Sequence, residues 1–235
     1  MSYPAPTTPL SRREWLARLG KTMLVSPLLN MAWLNMAWLN MTMIGMSCGG
    51  SKSNNSGPPP LSNDQFLDEI ERAILLYFWE QASSTTGQVK DRALARGNDT
   101  RTVSSIAATG FGLTALCIAD QRGYMASANV IARVRATLSF LLNQMPHQNG
   151  FFYHFVDMNT GQRAINSEVS SIDTALLLCG VVTCRQHFQD QQVVDLATQL
   201  YQRVNWPWML NGGSTFSMGW TPENGFLTAP SIRSW

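Results

Sequence analysis

The chain has 235 residues, 45% of them hydrophobic and 14% charged, with a formal net charge of +2. That length and composition suffice for one domain with a sizeable core. Lys and Arg are scattered rather than clustered, which excludes a basic nucleic-acid-binding face, and no nucleic acid is expected as a partner. Four cysteines at Cys48, Cys117, Cys179 and Cys184 form no CxxC and have no His at ligand spacing, so neither a metal site nor a disulfide framework is expected. The last three read as small buried residues within helices.

Residues 1–48 read as an export signal. Ser11–Leu16, SRREWL, matches the twin-arginine pattern with paired Arg12 and Arg13. Met23–Met46 is apolar but diluted by Asn30, Asn35, Asn40 and Pro27, too weak for a membrane span, and the NMAWL of Asn30–Leu34 is repeated at once. Gly45, Met46, Ser47 and Cys48 have the form of a lipoprotein cleavage site, so lipidation of Cys48 and a membrane partner through that lipid are expected. The location is then exported, membrane-anchored, periplasmic or at the cell surface. Residues 49–60, polar and ending in three prolines, read as a tether.

The folded domain is expected over 61–235. Ser62 with Gln65 has capping-box spacing, Leu61 and Phe66 form a staple, and Phe66, Ile70, Ile74, Leu75 and Phe78 share a helical face to about Gln81. A loop with Asp91 and Arg92 follows; taken alone these two read as a solvated ion pair. Helices are predicted over Ser104–Arg122, where Gly110 and Gly112 point to close approach of a neighbouring helix, and over Ser127–Met145, capped by Ser127 and halted by Pro146.

The run from Gly150 to Cys184 is the organising stretch. An aromatic segment, Phe151–Val156, reads as a hairpin turning through Asn159, Thr160 and Gly161. A helix is predicted from Ser170 to about Phe188, with Val169, Ile172, Leu176, Cys179 and Val182 on a core-facing stripe that also carries Asp173. A carboxylate there must be paired, hydrogen-bonded or protonated, and a capping box with Ser170 would serve. Glu168 lies just before the helix among Phe151, Phe152, Tyr153, His154 and Phe155. A surface glutamate would be ordinary, yet carboxylates beside ring faces are what a carbohydrate site needs. A helix over Asp190–Val204 follows, and then a tail in which Trp206, Trp208, Trp220 and Trp235 alternate with Pro and Gly. Such loops suit stacking on pyranose rings, or packing over helix ends. The class is all-α.

The phrases TGFGLTALCIADQRG, GFFYHFVDMNTGQRAINSEVSSIDTALLLCG, VNWPWML and MGWTPENGF, in this order, resemble the bacterial glycoamylase-like domain, which is related to glycoside hydrolase family 144, the endo-β-1,2-glucanases. The resemblance covers Leu61–Trp235 and implies part of an (α/α)6 toroid. Five helices are too few to close that ring, so the chain reads as the front half of the domain. It also implies inverting hydrolysis of a β-glucan, most simply β-1,2-glucan, by two carboxyl groups about 6.5 to 9.5 Å apart. Carried onto this sequence, it makes Glu168 the catalytic acid, with Asp173 as a second catalytic or supporting carboxylate. The substrate-binding candidates are Asp91, Arg92, Tyr153, His154, Trp206, Trp208, Trp220 and Glu223. The base could lie beyond this half, and no cofactor is implied. The rival reading is a catalytically incomplete, vestigial sugar-binding surface lipoprotein; a lyase would want a more basic cleft than Arg92 and His154 provide.

Overall fold

The computed structural model describes residues 61–227; the expected signal, the tether, the lipidation site at Cys48 and Trp235 lie outside them. Residues 61–93 and 99 onward form one unit, to which everything below refers.

Helix α1 (Asn63–Glu80) starts where the sequence places it: Ser62 accepts from the Gln65 amide and Gln65 reaches back to the Ser62 amide, a complete capping box. Its buried contribution is narrower than the expected stripe, with Leu75 buried and Ile74 exposed. Strand β1 (Val103–Ser105) then leads into α2 (Ile106–Gln121), whose cap is Ser105, accepting from the Ala108 amide. The predicted helix is two residues too long at its start, because Val103–Ser105 pairs as a strand with Phe155–Asp157 instead.

Helix α3 (Ser127–Asn143) is not capped by Ser127; the N-cap is Ala126, without a side-chain bond, and the Ser127 hydroxyl instead donates to Asp120 at the end of α2. Helix α4 (Ser171–His187) and α5 (Gln191–Arg203) start at side-chain caps from Ser170 and Asp190. One short helical turn, α6 (Trp206–Met209), completes the helices among the described residues.

The expected hairpin from 151–156 forms in part, and its residues also pair elsewhere. Strand β2 (His147–Gln148) pairs with β3 (Phe151–Phe152), β4 (Phe155–Asp157) pairs with β1, and β5 (Val169–Ser170) pairs with β6 (Gly219–Thr221), which pairs in turn with β7 (Gly225–Phe226). The turn through 159–161 does form, with Val156 bridging to Arg163 and the Asp157 amide donating to the Gln162 carbonyl, while 151–157 also serves two separate ladders and, through Tyr153, bridges to Val169. These short ladders are connectors across the N-terminal ends of α2 and α4, as the Ile106 amide donating to the His154 carbonyl and the Val169–Ser170 strand preceding α4 both place them.

Helices α2 and α4 form the most intimate pair, and glycine is the reason. A Cβ on Gly180 would lie 2.1 Å from the Gly110 carbonyl oxygen, and one on Gly110 would lie 2.5 Å from the Leu176 carbonyl oxygen. The two backbones are in contact, which offsets the roughly 1 kcal/mol that each helical glycine costs. Helices α1 and α3 flank α2, α5 packs on both α3 and α4, and the main core includes Ile106, Leu113, Val134, Leu138, Leu177, Val181 and Leu200.

The α4 stripe differs from expectation. Thr174, Leu177, Leu178, Val181 and Cys184 are buried, whereas Ile172 is 56% exposed and Cys179 is exposed as well. The helix is apolar nearly all round, so periodicity could not say which apolar side met a neighbour. The exposed side borders a groove of ≈ 480 Å³ lined by Ala175, Leu178, Cys179, Val182, Tyr201 and Trp206.

Candidate active site

Three of the residues singled out in the sequence converge at the N-terminal end of α4. The His154 amide donates to the Glu168 carbonyl at 2.8 Å, and the bridge between Tyr153 and Val169 extends this pairing by one residue. The two side chains follow: His154 Nδ1 lies 3.1 Å from Glu168 Oε1, while its Nε2 lies 3.6 Å from Asp173 Oδ1. Asp173 sits in the first turn of α4, where the unpaired amides favour a carboxylate. It is not held as a capping box. Ser170 Oγ accepts from the Asp173 amide at 3.2 Å and donates to Asp173 Oδ2 at 2.5 Å.

The imidazole is thus held between two acids, and its ring stacks on Phe155, with centroids 3.7 Å apart at 20°. The side chains of His154, Glu168 and Asp173 are 24%, 28% and 13% exposed, partly dried but open to a ligand. Burial alone would lower the His154 pKa; the hydrogen bond to Glu168 and the charges of Asp173, Glu168 and Asp91 outweigh it and hold the imidazole above its ordinary value. The same hydrogen bond holds the Glu168 carboxyl below its ordinary value, against burial, with Arg163 adding a smaller pull. Both shifts favour the charged pair, imidazolium and carboxylate, over the neutral one.

Ligand atoms of the three residues lie within 4.8 Å of one another, a spacing that could hold a metal ion. Each imidazole nitrogen already faces its own carboxylate, so the trio satisfies itself, and an ion would have to break one of those contacts. The same spacing shows that Glu168 and Asp173 are too close to straddle a water in an inverting reaction, which wants about 6.5 to 9.5 Å.

Around this centre the backbone leaves little slack. Gly219, on β6, lies so close that a Cβ there would fall 2.7 Å from Glu168 Cγ and 2.6 Å from the Val169 carbonyl oxygen. Arg163, not singled out in the sequence, ties the loop before Glu168: it donates to the Ser167 carbonyl at 2.5 Å, to the Asn166 carbonyl at 2.8 Å and, through two nitrogens, to Glu223. Ile165 and Asn166 between them adopt positive φ of 46° and 52°. For a β-branched residue such as Ile165 that conformation is costly, and the Arg163 clamp helps hold it. The signal that could have found Arg163 is its place between two turn-forming stretches, five residues before an acid.

The remaining candidates divide. Tyr153 lies under the Arg163 guanidinium at 5.2 Å, beside the trio. Asp91, 23% exposed and paired with Arg92, runs alongside β1 through the bond from its amide to Val103 and contributes its charge to His154. Arg92 is 73% exposed. Glu223 is 56% exposed and engaged by Arg163. Trp206, Trp208 and Trp220 are half-buried in a second cluster with Phe151, Val169, Leu178, Val204 and Met209. Phe151 meets Trp206 edge-on at 5.2 Å, and Trp208 lies 4.9 Å from Phe226 and 6.0 Å from Trp220. These rings brace the back of the β5–β6 ladder.

No family model matches the chain. Over 188 residues it is 24% identical to the exo β-1,2-glucooligosaccharide sophorohydrolase (non-reducing end) of Parabacteroides distasonis, a match covering 75% of this chain and 25% of that protein. A crystal structure described as a "putative glucoamylase" from Bacteroides uniformis superposes with a TM-score of 0.66 at 20% identity, over 72% of this chain and 42% of that one. An endo-β-1,2-glucanase from Chitinophaga pinensis, in complex with sophorotriose and glucose, gives 0.64 at 24% identity, over 72% and 44%. The chain thus spans a quarter of its curated relative and less than half of these structures. Within that span it is a homologue of the β-1,2-glucan sophorohydrolase and has the helical toroid fold, in part, of the endo-β-1,2-glucanase and glucoamylase-like structures.

Proposed function

We propose that the chain carries the acid side of a glycoside hydrolase site for β-1,2-linked glucan. The observation that supports it above all is the His154–Glu168–Asp173 trio, set at the mouth of paired helices in a fold shared with β-1,2-glucan-degrading enzymes. Glu168 is the residue that protonates the departing glycosidic oxygen. In the free state its carboxylate is ionised, so the proton must reach it from a neighbour. His154 holds that proton 3.1 Å away. When a sugar covers the half-open pair and expels water, an imidazolium facing a carboxylate loses solvation that a neutral imidazole facing a carboxylic acid does not need. The proton then shifts along the existing bond to Glu168, which is ready to donate it. Asp173 holds the far nitrogen of the ring, orienting it in the manner of the third member of a triad.

Inversion requires a second carboxylate across the substrate to activate water, and Asp173 is too close to Glu168 to be that base. Export, and anchoring by a lipid on Cys48, belong to the same proposal and rest on the sequence pattern of residues 11–48. Incubation with β-1,2-glucan, followed by assay of new reducing ends and NMR of the anomer first released, tests the reading. Reducing ends of inverted configuration, absent with Glu168→Gln, are expected. Retardation in a glucan-containing gel without release would favour the sugar-binding reading. Neither release nor retardation would overturn both.

A further inference from the structure

We propose that Cys117 and Cys184 are a disulfide-forming pair that cross-links α2 to α4. Their sulfurs lie 3.6 Å apart in the core, and the Cys184 thiol also faces the Leu113 carbonyl. The placement follows from the helix pairing. Gly110 sits against Leu176, Leu177 and Gly180, and the two helices run in the same direction from their serine caps. Seven residues on from Gly110 is Cys117, and seven on from Leu177 is Cys184. Equal steps of two turns along parallel helices keep the two positions in register. The close backbone approach at the glycines brings the two helices together, and two turns on the sulfurs meet at 3.6 Å, as the short span of a disulfide demands.

The pair is reachable from one side. Cys117 lines a groove of ≈ 420 Å³ together with Thr114, Ile118, Gln121, Thr183 and His187, whereas Cys184 is fully buried. A small-molecule disulfide entering the groove is attacked by the Cys117 thiolate; one sulfur bond forms, the reagent's own bond breaks, and one reagent thiol leaves. The Cys184 sulfur then attacks Cys117, expelling the second reagent thiol. The protein loses two electrons and two protons, and the reagent takes both electrons. The hydrogen bond to the adjacent Cys117 thiol, and burial after it, keep the Cys184 pKa high, so it acts second, when Cys117 is already in the mixed disulfide and its thiol no longer opposes ionisation.

The test treats the native full-length chain with 2-hydroxyethyl disulfide, blocks remaining thiols and maps peptides without reduction. The expected result is one species joining the peptides of Cys117 and Cys184, about 2 Da lighter than their sum. It should survive Cys179→Ala and vanish with Cys184→Ala. Because the closed loop spans 67 residues, the oxidised protein should also melt at least about 5 °C higher, a rise reversed by reduction. Absence of the joined species in the native protein, its appearance only in denaturant, or a melting temperature unchanged or lowered on oxidation would overturn the proposal.

Discussion

Replacing His154 with Ala tests the site most directly, because its effect depends on pH in a way that simple loss of packing does not. The bond between His154 and Glu168 is charge-assisted at 3.1 Å, with side chains 24% and 28% exposed. An exposed pair would contribute about 0.2 to 1 kcal/mol, and a fully buried one broken on one side would cost about 3 to 5 kcal/mol. This intermediate site should give a coupling of about 2 kcal/mol. The His154 pKa is raised, so its contribution is complete below the ordinary imidazole value and fades as pH rises through the raised one. The Glu168 pKa is depressed, so its contribution is complete above the ordinary carboxylate value and fades as pH falls through the depressed one. The coupling should therefore be largest at about pH 5 to 6, between those two ordinary values. Urea unfolding of the parent, His154→Ala, Glu168→Gln and the double variant at half-unit pH steps gives the cycle. A coupling below about 0.5 kcal/mol at pH 5.5, or one flat from pH 3 to pH 9, would refute the ion pair and with it the proton held for Glu168.

Gly180→Ala should destabilise by about 3 kcal/mol or more, because its Cβ would meet the Gly110 carbonyl at 2.1 Å; urea midpoints measure it. Gly123→Ala, with nothing within 4 Å but φ of 66°, should cost only about 1 kcal/mol. Gly219→Ala should impair glucan turnover or binding well beyond its effect on stability, since the new Cβ would press on Glu168 Cγ at 2.7 Å. Calorimetric titration with sophorotriose, beside urea unfolding, separates the two effects. Arg163→Met should weaken sugar binding more than Glu223→Gln does, because it also releases the Ser167 and Asn166 carbonyls, whereas Glu223 is 56% exposed. Trp208→Ala should behave as a core truncation, costing about 3 kcal/mol in stability, since its ring packs on Phe151, Trp220 and Phe226.

Local chemistry was legible where one residue type decides the outcome. The Ser62–Gln65 box, the Ser170 cap, and the close approach at Gly110 each follow from a side chain, or its absence, acting within a turn or on a touching backbone. Three features were not legible, for physical reasons. The turn at 159–161 brings Arg163 back to Val156, but the ladders of 151–157 with residues 103–105 and 147–148 are set by tertiary contact, which the turn does not announce. The exposed side of α4 could not be separated from the buried one, because both are apolar. Cysteine spacing in sequence says nothing of Cys117 and Cys184, which meet only because α2 and α4 run parallel. At the site, Glu168, Asp173 and His154 were all singled out, but their union was not, since it rests on the backbone pairing of His154 with Glu168.

The tryptophans show how the same composition can serve a different end. Aromatic, glycine-rich loops suit sugar stacking, yet Trp206, Trp208 and Trp220 spend much of their surface on one another and on Phe151. Their position explains why this does not remove them from function. Trp220 pairs with Val169, and Gly219 with Ser170, so the tryptophan cluster fixes the strand that ends at the α4 cap and starts beside Glu168. A carboxylate that must meet a scissile bond within a few tenths of an ångström gains from such backing. The front of that strand is held by Arg163 through the Ser167 carbonyl, and the back by aromatic packing. Loss of either should move Glu168 relative to His154. The consequence is specific: Trp208→Ala and Arg163→Met should both lower the His154–Glu168 coupling measured in the cycle, although neither residue touches that bond.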